Sequence, residues 1–340
     1  MYQTDQRFIQ LQQWLEEKLE QPVHTIEPAS SDASFRRYFR VISDQESLIA
    51  MDAPAPRENV NNFVSVATVF RNAGVHVPDI FAGDDRHGFL LLSDFGNCPY
   101  FDALAEANAD ELYADAFDVL FKIQSRITQQ TTDLPVYDAG LLFRELAIFT
   151  EWFILALLGI KLSDEQQQML EASFRKLVDS ALEQPQVCVH RDFHCKNLMR
   201  LEANNPGVLD FQDALFGPLT YDLASLLRDC YICWPEQSVE AWIGEFYQRS
   251  LDAGVFSSGI SLDQYRRWFD RMAMQRHLKA IGIFSRLKIR DGKPGYLNDI
   301  PTTLRYVTDV CRKDDTFEEL GEFLSQVVIS VMQQHPAFQS

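Results

Sequence analysis

From residue 5 to residue 20, apolar positions recur every three or four residues. Phe8, Leu11, Leu15 and Leu19 share a face, with Trp14 beside them, which predicts an amphipathic helix. The period then shortens to two. PASSDASFRRYFRV ends in alternating residues around Phe35, Tyr38 and Phe39, and ESLIAMD is a short apolar run; with the polar SDQE between them, they predict two strands and a turn. PAPRENVNNFVSVATVFRNAG predicts a proline stop, a helix from about Glu58 and a glycine C-cap at Gly74. VPDIFAGDDRHGFLLLSDFG predicts a hairpin whose second strand is Phe89–Leu92. This opening section therefore reads α-β-β-α-β-β. From Tyr100 on the helical period dominates, over 110–126, 140–158, 163–183, 237–251, 262–288 and 315–334, with a strand-like interruption at 187–211. The predicted class is α+β and bilobal. A small β-rich N-lobe spans residues 1–96 and a larger, mainly helical C-lobe spans 97–340, with the change in composition at Gly96–Pro99.

The interruption holds the most informative chemistry. VCVHRDFHCKNLM at Val187–Met199 is followed by VLDFQDA at Val208–Ala214. Phosphoryl transfer needs a carboxylate to orient a hydroxyl, and an amide and a second carboxylate to hold magnesium against a nucleotide. Asp192, in a loop after the buried-looking strand VCV, is the candidate base. Asn197, five residues on, and Asp210, thirteen beyond that, are the candidate magnesium ligands. His190 is expected to fix the loop.

Composition narrows the setting. The chain has 340 residues, 46% hydrophobic and 24% charged, with a formal net charge of −18. Such acidity argues against a nucleic-acid partner. The longest apolar candidate, Leu155–Ile160, is too short to span a bilayer, and the N-terminus lacks the order of a signal peptide, so a cytoplasmic chain with no membrane partner is expected. Six cysteines are then expected as thiols. Cys230 and Cys233 form a CxxC in LLRDCYICW, a stretch that reads as helical and as weak support for zinc.

HRDFHCKN followed by LDFQDALFGPLTYDLASLLRD resembles the aminoglycoside phosphotransferase group of the protein-kinase-like fold. The resemblance implies ATP and Mg2+ as cofactors, Asp210 as the metal ligand and Asp222 of TYDLA as a support of the catalytic loop. It also implies a hinge at LLLSDFG, where backbone groups from Leu92 to Asp94 would hold adenine. Asp94-Phe95-Gly96 spells a magnesium motif but precedes HRD, so it is read as coincidence. The small lobe departs from the pattern. SSDASFRRYFRV lacks glycines, leaving Ser31, Ala33 and Ser34 to admit phosphate. Met51 stands where a phosphate-binding lysine is expected, with Glu58 as that lysine's usual partner. Arg36 or Arg37 is the candidate replacement; an exposed basic edge is the alternative.

SDASFRRYFRV, IAMDAP, NAGVHVPDI, LLLSDFG, FRELAIFTEWF and QRHLKAIGIFSRLKIRDGKPGYL resemble, more narrowly, the bacterial anomeric sugar kinases of cell-wall recycling. That implies an amino-sugar substrate phosphorylated at the C1 hydroxyl, N-acetylmuramate or N-acetylglucosamine. The candidate substrate contacts are His194, Arg144, Glu145 and Arg286. The spacing puts Arg144 and Glu151 roughly on one helix side, as an ion pair or as ligands. The basic cluster Arg276, His277, Lys279, Arg286 and Lys288 suits the lactyl carboxylate of muramate, or is an exposed helical face. Two alternatives remain. One is an aminoglycoside or amino-alcohol kinase of the same fold, which would want an acidic pocket. The other is a non-catalytic ATP-binding pseudokinase, suggested by Met51.

Overall fold

The computed structural model describes residues 5–19, 23–29, 36–43, 47–54 and 60–339. In chain order come α1 (Gln6–Lys18), β1 (Val23–Pro28), β2 (Arg37–Ser43), β3 (Ser47–Asp52), α2 (Val60–Asn72), β4 (Ile80–Asp84) and β5 (Phe89–Ser93). Next are α3 (Tyr100–Ala103), α4 (Ala109–Arg126), α5 (Ala139–Ile148), a π-helix (Phe149–Leu157) and α6 (Asp164–Leu182). The motif region forms β6 (Gln186–Val189), β7 (Leu198–Met199), β8 (Gly207–Val208) and β9 (Leu215–Pro218). The chain closes with α7 (Tyr221–Leu227), α8 (Glu236–Asp252), α9 (Leu262–Asp291), α10 (Ile300–Lys313), α11 (Glu318–Phe323) and α12 (Ile329–Gln334). No helix among the described residues is long and apolar enough to cross a membrane. By its contacts the chain divides into two units, Met1–Ala116 with Lys196–Gln212, and Phe117–Cys195 with Asp213–Ser340.

The first unit is built on an antiparallel sheet of order β1-β2-β3-β5-β4. Strand alternation sorts its residues. Phe39, Val41, Leu48, Ala50, Phe89 and Leu91 pack on Phe8, Leu11, Trp14 and Leu15 of α1. Met51, opposite Tyr38 and Leu90, alternates to the other face and is fully buried. An ion cluster seats α1. Asp5 caps the helix through Arg7 N and Phe8 N. Arg7 Nε and Arg37 Nε each donate to the buried Asp52 carboxylate, at 3.0 and 2.9 Å, and Arg37 also pairs with Asp5.

The second unit is organised by α9, whose buried residues surround its axis, from Trp268 and Met272 to His277 and Phe284. A helix buried all round shows a blurred amphipathic pattern. Antiparallel β6–β9 pairs Val187 with Gly217 and Val189 with Leu215. Gly282 of α9 lies where a Cβ would stand 2.5 Å from the Ile148 carbonyl carbon and 2.6 Å from Phe149 N. Backbone thus meets backbone at the junction of α5 and the π-helix.

Several sequence expectations need correction. The sheet gains β1, a half-exposed edge strand with a register shift between Val23 and Thr25, so the order is α-β-β-β-α-β-β. The helix expected from Glu58 is described from Val60, Glu58 itself lying outside the described residues. The helix expected over 140–158 turns into a π-helix at Phe149, and that over 315–334 is broken by short 3-10 and π segments. No ion pair joins the exposed Arg144 and Glu151, because the wider π turn shifts the i, i+7 alignment. The stretch LLRDCYICW is helical only to Leu227; Arg228 leaves helical geometry and Tyr231 N donates to Asp229, while Cys230 and Cys233 are free thiols.

Two variants test these supports. Asp52→Ala should leave Arg7 and Arg37 around an empty anion site and cost about 2 kcal/mol of unfolding free energy in denaturant titrations. Gly282→Ala should cost a similar amount, about 1–3 kcal/mol, by forcing two backbones apart.

Candidate active site

In the second unit, β6 delivers the chain into the loop that begins at His190. His190 is fully buried. Its amide and that of Arg191 donate to the two oxygens of Asp222, at 2.6 and 3.0 Å. Burial raises the Asp222 carboxyl to about 7, against the pull of those two amides. Arg191 takes a left-handed backbone, φ 79°, which turns the chain sharply before Asp192. Asp192 N donates to His190 Nδ1 at 3.3 Å. The far end of the loop is held by a second buried carboxylate, Asp229, which accepts from Cys195 N and Tyr231 N, both at 3.0 Å.

Asp192 sits in a positive field. Burial alone would raise its carboxyl, but the charges of Lys279, His194, Arg276 and Arg191 outweigh burial and hold it below the usual carboxylate range. A buried Glu145 organises these cations. It pairs with Arg191 and, at 3.0 Å, with Lys279, and accepts from the Tyr137 hydroxyl and from Gln275 Nε2 at 3.2 Å. Arg276 donates to the Arg191 carbonyl at 3.3 Å and lies 5.0 Å from the Tyr221 ring centre. The surroundings of Asp192 are therefore ionised and basic, suited to receiving a hydroxyl proton's hydrogen bond beside a negatively charged substrate.

The first unit carries the other motif residues. Strands β7 and β8 pair Leu198 with Val208 and Met199 with Gly207, and Leu209 N donates to the Asn197 carbonyl at 2.9 Å. Asn197 and Asp210 are thereby brought to one end of this hairpin. Asp210 has a left-handed backbone, φ 61°, and accepts from Gln212 Nε2 at 2.7 Å. Strain at a non-glycine residue is common where a side chain must be aimed. Phe211 packs on Phe63 and Phe70 of α2, and Asn62 donates to the Gln212 carbonyl at 2.7 Å, so α2 braces the segment. An amide oxygen and a carboxylate at one hairpin end are hard oxygen donors, a set that fits magnesium with water and phosphate completing its shell.

Of the two candidate arginines, Arg36 has a guanidinium 3.5 Å from Asp210, whereas Arg37 turns to Asp5 and Asp52 on the α1 face. Ser34, with Ser31 and Ala33, lies outside the described residues. Leu92 is buried in β5, and the Asp94 side chain is taken by Arg40 and by the amide of Gly96.

Of the candidate substrate contacts, His194 lies two residues past Asp192, its ring 5.5 Å from Tyr231. The aromatic row continues through Phe284 to Tyr296. Glu145 is buried among Arg191 and Lys279, and Arg144 beside it is exposed. Arg286 is half-buried on the Lys279 side of α9, two turns on, its Nε buried without a partner. His277, grouped with the basic residues by sequence, is buried, and burial lowers its imidazole to about 3, so it is neutral. Tyr137, Tyr221 and Asp229 were not singled out from the sequence for contacts here; only their burial beside charged groups marks them.

Asp222→Asn tests the loop. Its amide group would present one donor to a backbone donor, and about 1–3 kcal/mol of stability should be lost. Chemical denaturation measures it, with Asp213→Asn, at an exposed position, as the neutral control.

Comparison with known proteins gives this arrangement its family. Residues 25–268 match the phosphotransferase enzyme family. The N-acetylmuramate/N-acetylglucosamine kinase of Pseudomonas putida is 43% identical over 337 residues, covering 96% of this chain and 98% of that protein. The protein of the same name from Pseudomonas aeruginosa is 45% identical over 333 residues, covering 95% and 97%. Among solved structures, an ADP-bound aminoglycoside phosphotransferase superposes with a TM-score of 0.60 at 13% identity, covering 88% of this chain and 98% of that one. Choline kinase LicA from Streptococcus pneumoniae gives 0.61 at 11%, covering 89% and 99%. At these identities the structures speak for the fold, and the α+β, protein-kinase-like class expected from the sequence is the one observed. By its matched residues and its near-full-length relatives, this chain belongs to the phosphotransferase enzyme family.

Proposed function

We propose that the chain is an ATP- and magnesium-dependent sugar kinase that phosphorylates the anomeric C1 hydroxyl of N-acetylmuramate and N-acetylglucosamine, in cytoplasmic peptidoglycan recycling. The names of relatives at 43% and 45% identity support the substrate class. The observation that carries the chemistry is Asp192, an ionised carboxylate on a loop held at both ends by buried carboxylates. Asp192 accepts the hydrogen bond of the C1 hydroxyl and aligns its oxygen for in-line attack on the terminal phosphate. As the new O–P bond forms, the bond from the terminal phosphorus to the bridging oxygen of ATP breaks, ADP leaves, and the hydroxyl proton passes toward Asp192.

Asn197 and Asp210 would hold magnesium, which supplies charge neutralisation at the phosphates. Met51 offers no charge there. Arg36, the cation paired with Asp210, takes that task in this reading, while Arg37 stays with Asp5 and Asp52. Adenine would rest on backbone groups around Leu92–Asp94, because the Asp94 side chain is engaged by Arg40. Residues 1–96 then serve as the nucleotide-binding lobe and 97–340 as the substrate lobe. His194 with the Tyr231 row offers an aromatic surface for a sugar ring, and Arg276, Lys279 and Arg286 offer positive charge for the lactyl carboxylate. Glu145 acts on the sugar through Arg191 and Lys279; Arg144, exposed beside it, is the outer contact. A cationic aminoglycoside would meet repulsion from the same cations, which favours the amino-sugar acid. The net charge of −18 leaves nucleic acid an unsuitable partner.

Asp192→Asn should lower kcat by about 10²–10⁴-fold while leaving ATP affinity within about twofold in calorimetry. Wild-type protein with ATP and magnesium should convert both sugars to an acid-labile 1-phosphate. Failure of either sugar to give such a product would overturn the anomeric assignment.

A further inference from the structure

A cavity of about 440 Å³ opens on the second unit, lined by the end of α7, the segment around Trp234, and stripes of α9 and α10. Asp270, Ala273 and His277 supply the α9 stripe. At 100° per residue they lie on roughly the opposite side of that helix from Gln275 and Lys279, which reach Glu145. The cavity is thus separate from the residues around Asp192.

Its lining has two properties that point to a ligand. The first is charge. In an acidic chain, four cations line it: Arg228, Arg305, Arg312 and Lys313. Two of the facing carboxylates are already satisfied. Glu236 holds Arg228 and Lys313, each at 2.7 Å, and Asp309 holds Arg312 at 2.7 Å. The third, Asp270, is raised to about 6 by burial and stays mainly ionised at neutral pH, so the four cations exceed the three carboxylates by one. Arg305 is exposed, and among the described residues its guanidinium meets the Cys233 sulfur, at 3.4 Å.

The second property is unfilled hydrogen-bonding capacity. His277 is 1% exposed, and its Nε2 lies 2.7 Å from the Arg228 carbonyl. A carbonyl only accepts, so Nε2 carries the proton and Nδ1 is left as an acceptor, buried with no partner. The Tyr306 hydroxyl, on a residue 7% exposed, is buried with the Cys233 thiol, a weak partner, beside it. Buried polar atoms left unpaired are costly and are ordinarily met by a ligand or water. The half-exposed indole of Trp234 adds a flat apolar wall.

We propose that this cavity binds a small phosphorylated sugar, its phosphate held by Arg305 and Arg312, its hydroxyls by Tyr306 and His277, and its ring against Trp234. The volume lies in the range of small-molecule sites, about 300–1,000 Å³. A chain of bonds runs from the cavity to the loop that carries Asp192. His277 bonds the Arg228 carbonyl, Arg228 ends α7, and α7 carries Asp222, which holds the amides of His190 and Arg191.

The test is calorimetric titration of the full chain with N-acetylglucosamine 6-phosphate, in buffer saturated with a non-hydrolysable ATP analogue and N-acetylmuramate. Saturable one-site binding is expected. It should weaken at least about tenfold in Arg305→Ala/Arg312→Ala, which removes two charge-assisted contacts, and less in Tyr306→Phe. ATP affinity should be unchanged in both variants. Absence of heat, loss of binding when the ATP analogue and sugar are present, or equal binding by the double variant would each overturn the proposal. So would inorganic phosphate binding as tightly as the sugar phosphate, since the ring would then contribute nothing. The readout needs no phosphate transfer, so its failure is distinct from failure of the proposed activity.

Discussion

The candidate active site depends on one desolvated carboxylate. Asp222 is withdrawn from water to accept two successive backbone amides, and those amides belong to the residues that set the direction of Asp192. Neither amide has a ladder partner at this point, so the bend in the chain exists because a side chain satisfies it. The left-handed backbone of Arg191 is tolerable for the same reason: surrounding bonds over-determine it. Asp229 repeats the device at Cys195, so a loop of irregular backbone is fixed at both ends by carboxylates from the region of α7.

Charge is balanced over the same few residues. Burying Asp192, Glu145 and Asp222 together would be prohibitive without compensation. Arg191, Arg276 and Lys279 supply it, and Glu145 keeps Arg191 and Lys279 from collapsing onto Asp192. The cluster resembles a network more than a set of ion pairs, since each cation also touches a tyrosine or a carbonyl. Its cost is accepted where a carboxylate must be both buried and ionised.

Much of this was legible in the residues. HRD, Asn197 and the apolar-flanked Asp210 are local patterns, and local patterns survive in sequence. Most elements of the small lobe were readable because α1 and β2 each bury one face and β3 and β5 are short apolar runs. β1 was not, because four of its six positions are exposed and its pairing is irregular. α10 was missed for another reason. Thr302, Thr303, Val307, Thr308 and Val310 are β-branched, so a helix started by Pro301 resembles a strand in composition. The Glu145 network was hidden because its members come from α5, the loop after β6 and α9, and nothing in one stretch of chain announces a partner more than a hundred residues away. Which of two adjacent arginines faces Asp210 was also beyond sequence, since strand alternation sends neighbours to opposite faces and the register decides which.

The short helix α7 therefore works as a spacer. Asp222 lies in its first turn and Asp229 just past its end, seven residues on, close to two helical turns. Most of the separation of the two anchors of the loop is set by helical rise, the least variable length a polypeptide offers, with the non-helical Arg228 completing it. Lengthening or shortening α7 by one residue would swing one anchor by about 100° relative to the other while leaving every motif letter intact. The family signature would still be legible in such a chain, and the loop it names would be held at one end only.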